Sequence, residues 1–236
     1  MKRLSFTLLS IILFSVTALN ALAQESSTQT REVSGFNAIA SAGPFNVHIK
    51  LDGTESVKVD ADANIINDIE TVVENNTLKI KFKDHEYRHY KNIHKAEVYI
   101  SAKSLNALTN SGSGSMKVDG MISTSNFKVV LSGSGSINTS VKSDGLHAMV
   151  SGSGSIKLNG RTGDADIVIT GSGEIEGRDL KTESAKVMIT GSGSVYLTAD
   201  KSLTAHITGS GNVVYSGNAS VVNSRYTGSG RVTKAN

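Results

Sequence analysis

The chain of 236 residues contains no cysteine, no tryptophan and a single proline. The absence of cysteine excludes a disulfide scaffold, and the scarcity of proline excludes collagen-like and proline-rich disordered classes. Aromatic residues make up only 5% of the chain and charged residues 19%, whereas apolar residues reach 38%. The interior must therefore consist mainly of Val, Ile, Leu and Ala, and it must be stable without disulfides.

The first 23 residues have the features of a secretory signal peptide. Lys2 and Arg3 form a basic start, residues 4–16 are apolar apart from Ser and Thr, and residues 21–23 (Ala-Leu-Ala) form a small-residue cleavage site. A transmembrane helix needs about 20 apolar residues, and the apolar stretch at residues 4–16 is shorter than this. We therefore expect the segment to be removed, and we expect no transmembrane segment in the mature chain. We therefore expect export of the protein to the periplasm, the outer-membrane surface or the extracellular space. The mature chain is then nearly neutral, which does not favour a nucleic-acid partner.

Glycine occurs 23 times, and its positions reveal an internal repeat. The tripeptide Gly-Ser-Gly occurs seven times, at intervals of 18 to 21 residues, and a serine or threonine directly precedes every copy. Apolar residues recur two positions after each copy and two positions before nearly every copy, which is the alternation of a β-strand. The glycines of the seven tripeptides are Gly112, Gly114, Gly133, Gly135, Gly152, Gly154, Gly171, Gly173, Gly191, Gly193, Gly209, Gly211, Gly228 and Gly230.

A period near 19 residues, made of strand, corner, strand and polar turn, predicts one coil of a parallel β-solenoid. The period is too short for a four-stranded propeller blade, and the pattern is not that of a leucine-rich repeat. Equivalent residues of adjacent coils would lie about 4.8 Å apart, so that the aliphatic residues form internal ladders. We interpret Gly-Ser-Gly as a structural corner, because glycine permits positive φ and close backbone approach. A ligand site of stacked hydroxyls is the alternative.

The segment before the repeats also has strand alternation, over residues 45–51, 57–59, 78–82 and 98–100, and Asn75-Asn76 predicts a hairpin turn or coil corner. Its longer turns and denser charges indicate an irregular cap that closes one end of the solenoid. The predicted fold is therefore an all-β, single-domain parallel β-helix or β-solenoid. About seven coils of 18–21 residues form its C-terminal half, and an irregular all-β cap forms its N-terminal part.

The predicted organisation of the chain has three parts. Residues 1–23 form the signal peptide, residues 24–35 a flexible leader, and residues 36–236 one domain. Within this domain, irregular strands occupy residues 36–108 and the Gly-Ser-Gly repeats occupy residues 109–236.

The sequence resembles the head GIN domain group of auto-transporter adhesins, which occurs mainly in secreted proteins of Bacteroidetes-like bacteria. The resemblance extends from Phe36 to the C-terminus. It rests on residues 36–39 (Phe-Asn-Ala-Ile), the strand at 45–51, residues 76–80 (Asn-Thr-Leu-Lys-Ile) and the serial Ser-Gly-Ser-Gly corners, including residues 135–138. It implies a β-helix-like all-β fold and an adhesin role.

Parallel β-helices also carry polysaccharide lyases and hydrolases, which need carboxylates or basic groups that converge on a groove. The candidate carboxylates are Asp164, Asp166, Glu174 and Glu176. Asp166, Glu174 and Glu176 flank inward-facing residues, so we expect these three to point outward onto a solvated surface of mixed charge. We therefore predict a non-catalytic protein with no catalytic residue, no cofactor and no metal.

One polar segment, residues 84–94, holds half of the histidines and a third of the tyrosines. A polar excursion between two strands explains it most simply, although histidines are also metal ligands and long loops often carry a binding function. If the segment binds a carbohydrate or peptide, the exposed aromatic side chains are the first to test. The candidate binding residues are His85, Tyr87, His89, Tyr90 and His94.

Taken together, these patterns predict an exported adhesin or binding protein at the cell envelope, with polysaccharide or another host or cell-surface component as its partner. The alternatives are a carbohydrate-active enzyme on the same scaffold and a periplasmic structural or assembly protein. An open strand edge at the terminal coil around Val232 favours a homo-oligomer formed through the end or edge of the solenoid.

Replacement of both Tyr87 and Tyr90 by alanine tests the binding role of residues 84–94. If these side chains contact a glycan, the double variant should bind a glycan surface at least about tenfold more weakly, because aromatic side chains often dominate binding energy. Adsorption of wild type and variant to the same glycan surface measures the difference. Equal binding would exclude the two tyrosines from the contact.

Overall fold

The computed structural model describes residues 26–83 and 93–235, and in them seventeen strands form one continuous hydrogen-bonded sheet. One 3₁₀ turn at Ile66–Asp68 lies between β4 and β5. The strands are β1 (Ser26–Arg31), β2 (Ala38–Ala42), β3 (Asn46–Leu51), β4 (Ser56–Asp62), β5 (Ile69–Glu74), β6 (Thr77–Phe82), β7 (Ala96–Ala102), β8 (Ala107–Gly112), β9 (Ser115–Ser123), β10 (Asn126–Gly133), β11 (Ser136–Gly152), β12 (Ser155–Gly171), β13 (Glu174–Gly191), β14 (Ser194–Gly209), β15 (Asn212–Ser216), β16 (Ser220–Thr227) and β17 (Arg231–Lys234).

Each strand from β11 to β14 forms almost a complete coil, since it begins directly after one corner and ends at the first glycine of the next. Successive coils pair in parallel and in register, so that Gly133 lies beside Gly152 and Gly152 beside Gly171. The predicted all-β solenoid of about seven turns is thereby confirmed. We call the part of each coil before a Gly-Ser-Gly corner the pre-corner strand and the part after it the post-corner strand.

The interior consists of aliphatic ladders, one residue from each coil. On both sides of the corners these side chains are at most 1% exposed. Burial contributes roughly 1.5–3 kcal/mol per aliphatic side chain before chain entropy is subtracted, so no coil is stable alone and stability is shared between neighbours. The ladder before the corners contains Leu131, Val150, Ile169, Ile189 and Ile207, and the ladder after them contains Ile137, Ile156, Ile175, Val195 and Val213.

The corners stack as closely as the strands do, and this leaves no space for a side chain. Gly152 has a φ of 120°, and a Cβ added to it would lie 2.5 Å from the carbonyl oxygen of Gly133. A Cβ on Gly154 would lie 2.5 Å from the carbonyl oxygen of Gly135. The amides of Ser153 and Gly154 both donate to the Gly133 carbonyl at 3.0 Å. The backbone ladder therefore continues around the corner, and both positions require glycine.

Strands β2 and β3 form an additional coil that the repeat pattern did not indicate. β2 pairs in parallel with β8, and β3 pairs in parallel with β9, which places Gly43-Pro44-Phe45 beside Gly112-Ser113-Gly114. Phe45 thus occupies the place of the second corner glycine. Its ring is fully buried and packs against Phe82, with the ring centroids 4.9 Å apart.

Antiparallel strands complete the N-terminal end of the stack. β6 and β7 add to β2 and β3 in parallel, whereas β5 pairs with β6, and β4 with β7, in the antiparallel direction. Asn75 and Asn76 join β5 to β6 with φ values of 50° and 59°, as a two-residue hairpin turn requires. The strands expected at 45–51, 57–59, 78–82 and 98–100 are β3, β4, β6 and β7.

The structure corrects the expectation of a flexible leader over residues 24–35, because Ser26–Arg31 form β1, antiparallel to β4. The polar composition of this segment was misleading. β1 lies on the surface, where its backbone pairs with the edge that β4 offers. Its C-terminal half is tied to the 3₁₀ turn, since Gln29 Nε2 donates to Asn67 Oδ1 at 2.9 Å and Arg31 Nη2 donates to the Ile66 carbonyl at 3.0 Å.

Substitution at one corner tests the stacking. Gly152→Ala should lower the free energy of unfolding by about 2–3 kcal/mol, because alanine is strained at this φ and its Cβ would collide with the Gly133 carbonyl. Ser153→Ala, at the exposed centre of the same corner, should change it by less than about 0.5 kcal/mol. Urea denaturation followed by circular dichroism compares the two variants. An unchanged midpoint for Gly152→Ala would contradict the close packing described above.

Candidate functional site

Outward side chains of the post-corner strands and of the cap lie in rows that run across the sheet. One row crosses β4, β7, β3 and β9 and consists of Lys58, Tyr99, His48 and Lys117. Because neighbouring strands are about 4.8 Å apart, these side chains are adjacent. We call them the Tyr99 row. The inward neighbours of Tyr99 in β7 are buried, so its ring points outward and is 39% exposed.

The ring of Tyr99 is flanked by a partner on each neighbouring strand. The imidazole of His48 stacks on it with a centroid separation of 4.9 Å and an interplanar angle of 16°. From β4, the ammonium of Lys58 lies 4.9 Å from the ring centroid, within the range of a cation–π interaction. The three side chains form one aromatic and cationic cluster on a rigid sheet.

A chain of hydrogen bonds holds His48 in place. Its Nε2 atom lies 2.6 Å from Glu97 Oε2. The other oxygen of Glu97 accepts a hydrogen bond from Asn46 Nδ2 at 2.9 Å, and Asn46 Oδ1 accepts one from the Ser115 hydroxyl at 2.8 Å. The network extends over β7, β3 and β9, and it fixes the orientation of the imidazole against Tyr99.

The Tyr99 row lies in a shallow depression of about 600 Å³. Three lysines line the depression, namely Lys50, Lys58 and Lys117. In the part of the chain that the structure describes, none of them has a carboxylate oxygen within 4.0 Å of its ammonium group. The depression therefore offers lysine ammonium groups without a direct carboxylate partner beside an aromatic ring and several hydroxyls. Its polar and aromatic lining consists of His48, Lys50, Ser56, Lys58, Tyr99, Ser101, Lys117 and Asp119.

Asp52 follows β3 and contacts Ser101 of the lining of this depression. Its Oδ1 accepts hydrogen bonds from the Thr54 hydroxyl at 2.7 Å and the Thr54 amide at 3.1 Å, and its Oδ2 accepts one from the Ser101 hydroxyl at 3.1 Å. The hydrogen bond from the Thr54 hydroxyl is the main reason that the pKa of Asp52 lies below its ordinary value, and the charge of Lys50 lowers this pKa further. The carboxylate is thereby kept ionised and fixed to the loop after β3.

The same row continues across the repeats through Asn138, Lys157, Glu176 and Tyr196. Tyr196 resembles Tyr99 in having a cation against its ring, because the guanidinium carbon of Arg178 lies 3.8 Å from the ring centroid. Arg178 also forms an ion pair with Glu176. A second aromatic and cationic cluster thus lies on the same face as the first.

The candidate residues of segment 84–94 are placed only in part. His85, Tyr87, His89 and Tyr90 lie outside the described residues. His94 is exposed, and its backbone amide donates to Asp62 Oδ2 at 2.8 Å. No group of three His, Asp or Glu side chains within residues 26–83 and 93–235 is placed to hold a metal ion.

The candidate catalytic carboxylates do not converge. Asp164 and Asp166 lie on the outward face of a pre-corner strand, whereas Glu174 and Glu176 lie on the outward face of the following post-corner strand. Asp166 Oδ2 is 3.1 Å from His147 Nδ1, and both side chains are well exposed. This face carries the mixed charge that the sequence predicts. Asp164 and Asp166 line one shallow depression there with His147, Lys128 and Lys186, but both carboxylates come from the same side of one strand, and Glu174 and Glu176 do not reach it.

The Tyr99 row could not be found from the sequence because strands that are neighbours in the row, such as β4 and β7 or β7 and β3, are not consecutive in the chain. The available signal was the alternation of residues 98–100, in which a tyrosine stands between two aliphatic residues and must face outward. Nothing in the sequence indicated that β4 and β3 would flank β7.

A protein-family comparison agrees with this architecture. The family model described as "Putative auto-transporter adhesin, head GIN domain" matches residues 35–219. The chain belongs to this head GIN domain family. The resemblance predicted from the corners and the N-terminal strands is confirmed.

Solved structures share the fold of this head GIN domain. A "putative adhesin" from Bacteroides fragilis NCTC 9343 superposes with a TM-score of 0.78 at 23% identity, covering 90% of this chain and 97% of the other. A "putative lipid binding protein" from Parabacteroides distasonis ATCC 8503 superposes with a TM-score of 0.73 at 24% identity, covering 91% of this chain and 98% of the other. A "putative adhesin" from Parabacteroides merdae ATCC 43184 superposes with a TM-score of 0.71 at 23% identity, covering 91% of this chain and 98% of the other. These similarities concern the fold alone.

No curated protein matches the chain. Within the described ranges, no helix of the head GIN domain has the length and apolar character needed to span a membrane.

The lowered pKa of Asp52 gives a pH-dependent prediction. A carboxyl whose pKa is lower in the folded state contributes stability above its unfolded pKa, and this contribution is lost as the pH falls through the folded pKa. Thr54→Val removes the strongest donor, so the pKa of Asp52 should rise towards its ordinary value. Ser101→Ala should cause a smaller rise. Carboxyl ¹³C NMR titration measures both, and an unshifted Asp52 in Thr54→Val would contradict the assigned cause.

Proposed function

We propose that this head GIN domain protein is exported and binds a polysaccharide at the cell envelope without converting it. The Tyr99 row is the observation that carries the proposal. It combines a partly exposed aromatic ring, set between His48 and Lys58, with ammonium, imidazole and hydroxyl groups in a depression, and sugars are bound by apolar contact together with hydrogen bonds to their hydroxyls. The adhesin description of the family supports a binding role of this kind.

The site is suited to binding because its side chains are already ordered. Tyr99 lies between His48 and Lys58, and His48 is oriented by Glu97. The strands that carry these residues also contribute buried aliphatic side chains to the core. Little side-chain freedom remains to be lost when a ligand binds, and this favours affinity.

Export is supported by the sequence of residues 1–23, which predicts a signal peptide cleaved before Gln24. A role without catalysis is supported by the placement of the candidate carboxylates. Glu176 lies outside the depression of Asp164 and Asp166, and those two stand on the same side of one strand, whereas hydrolysis of a glycosidic bond ordinarily uses two carboxyl groups on opposite sides of the bond. Turnover of a polysaccharide would favour the carbohydrate-active enzyme instead. Self-association without glycan binding would favour a structural or assembly protein.

Tyr99→Ala in the mature chain tests the site. Binding to a glycan panel should weaken at least about tenfold, because an aromatic side chain at the centre of a contact commonly contributes more than about 1 kcal/mol. Met188→Ala is the matched control, since Met188 is also large and exposed, at 41%, but lies on a pre-corner strand. Tyr99→Phe separates the contribution of the hydroxyl from that of the ring.

Two results would count against the proposal. If Tyr99→Ala and Met188→Ala both bind as wild type does, the Tyr99 row is not the site. If reducing ends appear when wild type is incubated with a bound polysaccharide, the protein is an enzyme rather than an adhesin. Thermal melting of each variant verifies that it is folded.

A further inference from the structure

We infer that the polysaccharide bound by this protein is an extended polyuronate that lies across the strands, from Tyr99 to Tyr196. The inference rests on the proposed function and specifies its ligand. It concerns the outward row defined by strand register, in which β7 carries Tyr99 and β14 carries Tyr196. We call the surface along this row the axial track, because it follows the solenoid axis.

The charge of the axial track favours an anionic ligand. Lys58, Lys117 and Lys157 are exposed along it, and in the described chain none has a carboxylate oxygen within 4.0 Å of its ammonium group. A chain that carries repeated carboxylates would pair with successive lysines. A single small anion would engage only one of them.

The acidic side chains nearest to the track are already engaged or lie beside it. Glu97 is held by His48 and Asn46, and Glu176 is held by Arg178. Asp119 and Glu174 lie one row away from the track, where Asp119 is in register with Lys50 and Glu174 with Ser155. The uncompensated charge of the track is therefore positive.

The two ends of the track favour a sugar acid over a polyanion without rings. At each end a cation lies against an aromatic ring, with Lys58 on Tyr99 and Arg178 on Tyr196. At the Tyr99 end, a uronic acid residue can place its C–H groups against the open edge of the ring and its carboxylate beside Lys58, whereas Arg178 at the other end is already paired with Glu176. Inorganic polyanions have no apolar surface to offer the tyrosines.

The length of the track favours an extended ligand. Six strand-to-strand steps separate Tyr99 from Tyr196, which corresponds to about 29 Å. An oligomer shorter than this distance can engage one cluster only. Affinity should therefore rise with chain length until the oligomer spans both tyrosines, and it should fall as added salt screens the lysines.

The experiment compares polygalacturonate oligomers of increasing length with the same oligomers in methyl-esterified form, which have the same backbone without the charges. Calorimetry on the mature chain should show binding of the free acids that increases with length, and weaker binding of the esters. The variant K117E/K157E should bind the longest acid about tenfold more weakly. K128E/K186E makes the same charge change on the pre-corner face and should bind as wild type does.

The outcomes separate this inference from the proposed function. Equal binding of acids and esters, or binding of other neutral glycans alone, would overturn the polyuronate and leave a polysaccharide-binding protein. A short oligomer that binds as tightly as the longest, or equal loss in both lysine variants, would overturn the axial track. Failure to bind any glycan would overturn the proposed function and the inference together.

Discussion

The close stacking of backbone at the corners is the constraint on which this structure depends. A β-solenoid gains its hydrogen bonds and dry core only if each coil follows the one before it at strand spacing along the whole turn. At the corners this spacing places the Gly152 α-carbon against the carbonyl of Gly133, where even a methyl group would collide. The glycine pair therefore also fixes register, because a coil displaced by one residue would bring a Cβ into this contact.

Fixed register separates the inner and outer faces of the sheet. Most inward positions carry aliphatic side chains that fit one ladder, such as Val150, Ile169 and Ile189, although Thr139 and Thr182 are also buried. Outward positions carry no such restriction, and the row that contains His147 and Asp166 changes residue type from coil to coil. A surface of this kind can gain a binding site without change to the core, because its side chains are held at regular intervals by a scaffold that does not depend on them.

Alternation and period indicate which residues form strands and which of them face inward, and the features of this fold that depend on these two signals could be predicted. Period and glycine position are local signals repeated seven times, so the solenoid could be predicted. The coil of β2 and β3 has Phe45 where the repeats have glycine, and it lacks the period, so it was hidden. β1 was missed because a polar surface strand has no apolar alternation. The Tyr99 row was missed because alternation indicates the face of a side chain and not its neighbours on other strands.

The antiparallel cap both completes the stack and builds the candidate site. In the repeats, each strand is flanked by the equivalent segments of the adjacent coils, so the sequence order of the coils decides which side chains meet. In the cap, β7 lies between β3 and the antiparallel β4, which joins His48, Tyr99 and Lys58 from three separate segments. A solenoid of regular repeats has no strand corresponding to β4. The aromatic and cationic cluster at Tyr99 therefore depends on the irregular part of the fold, whereas the cluster at Tyr196 comes from the repeats themselves.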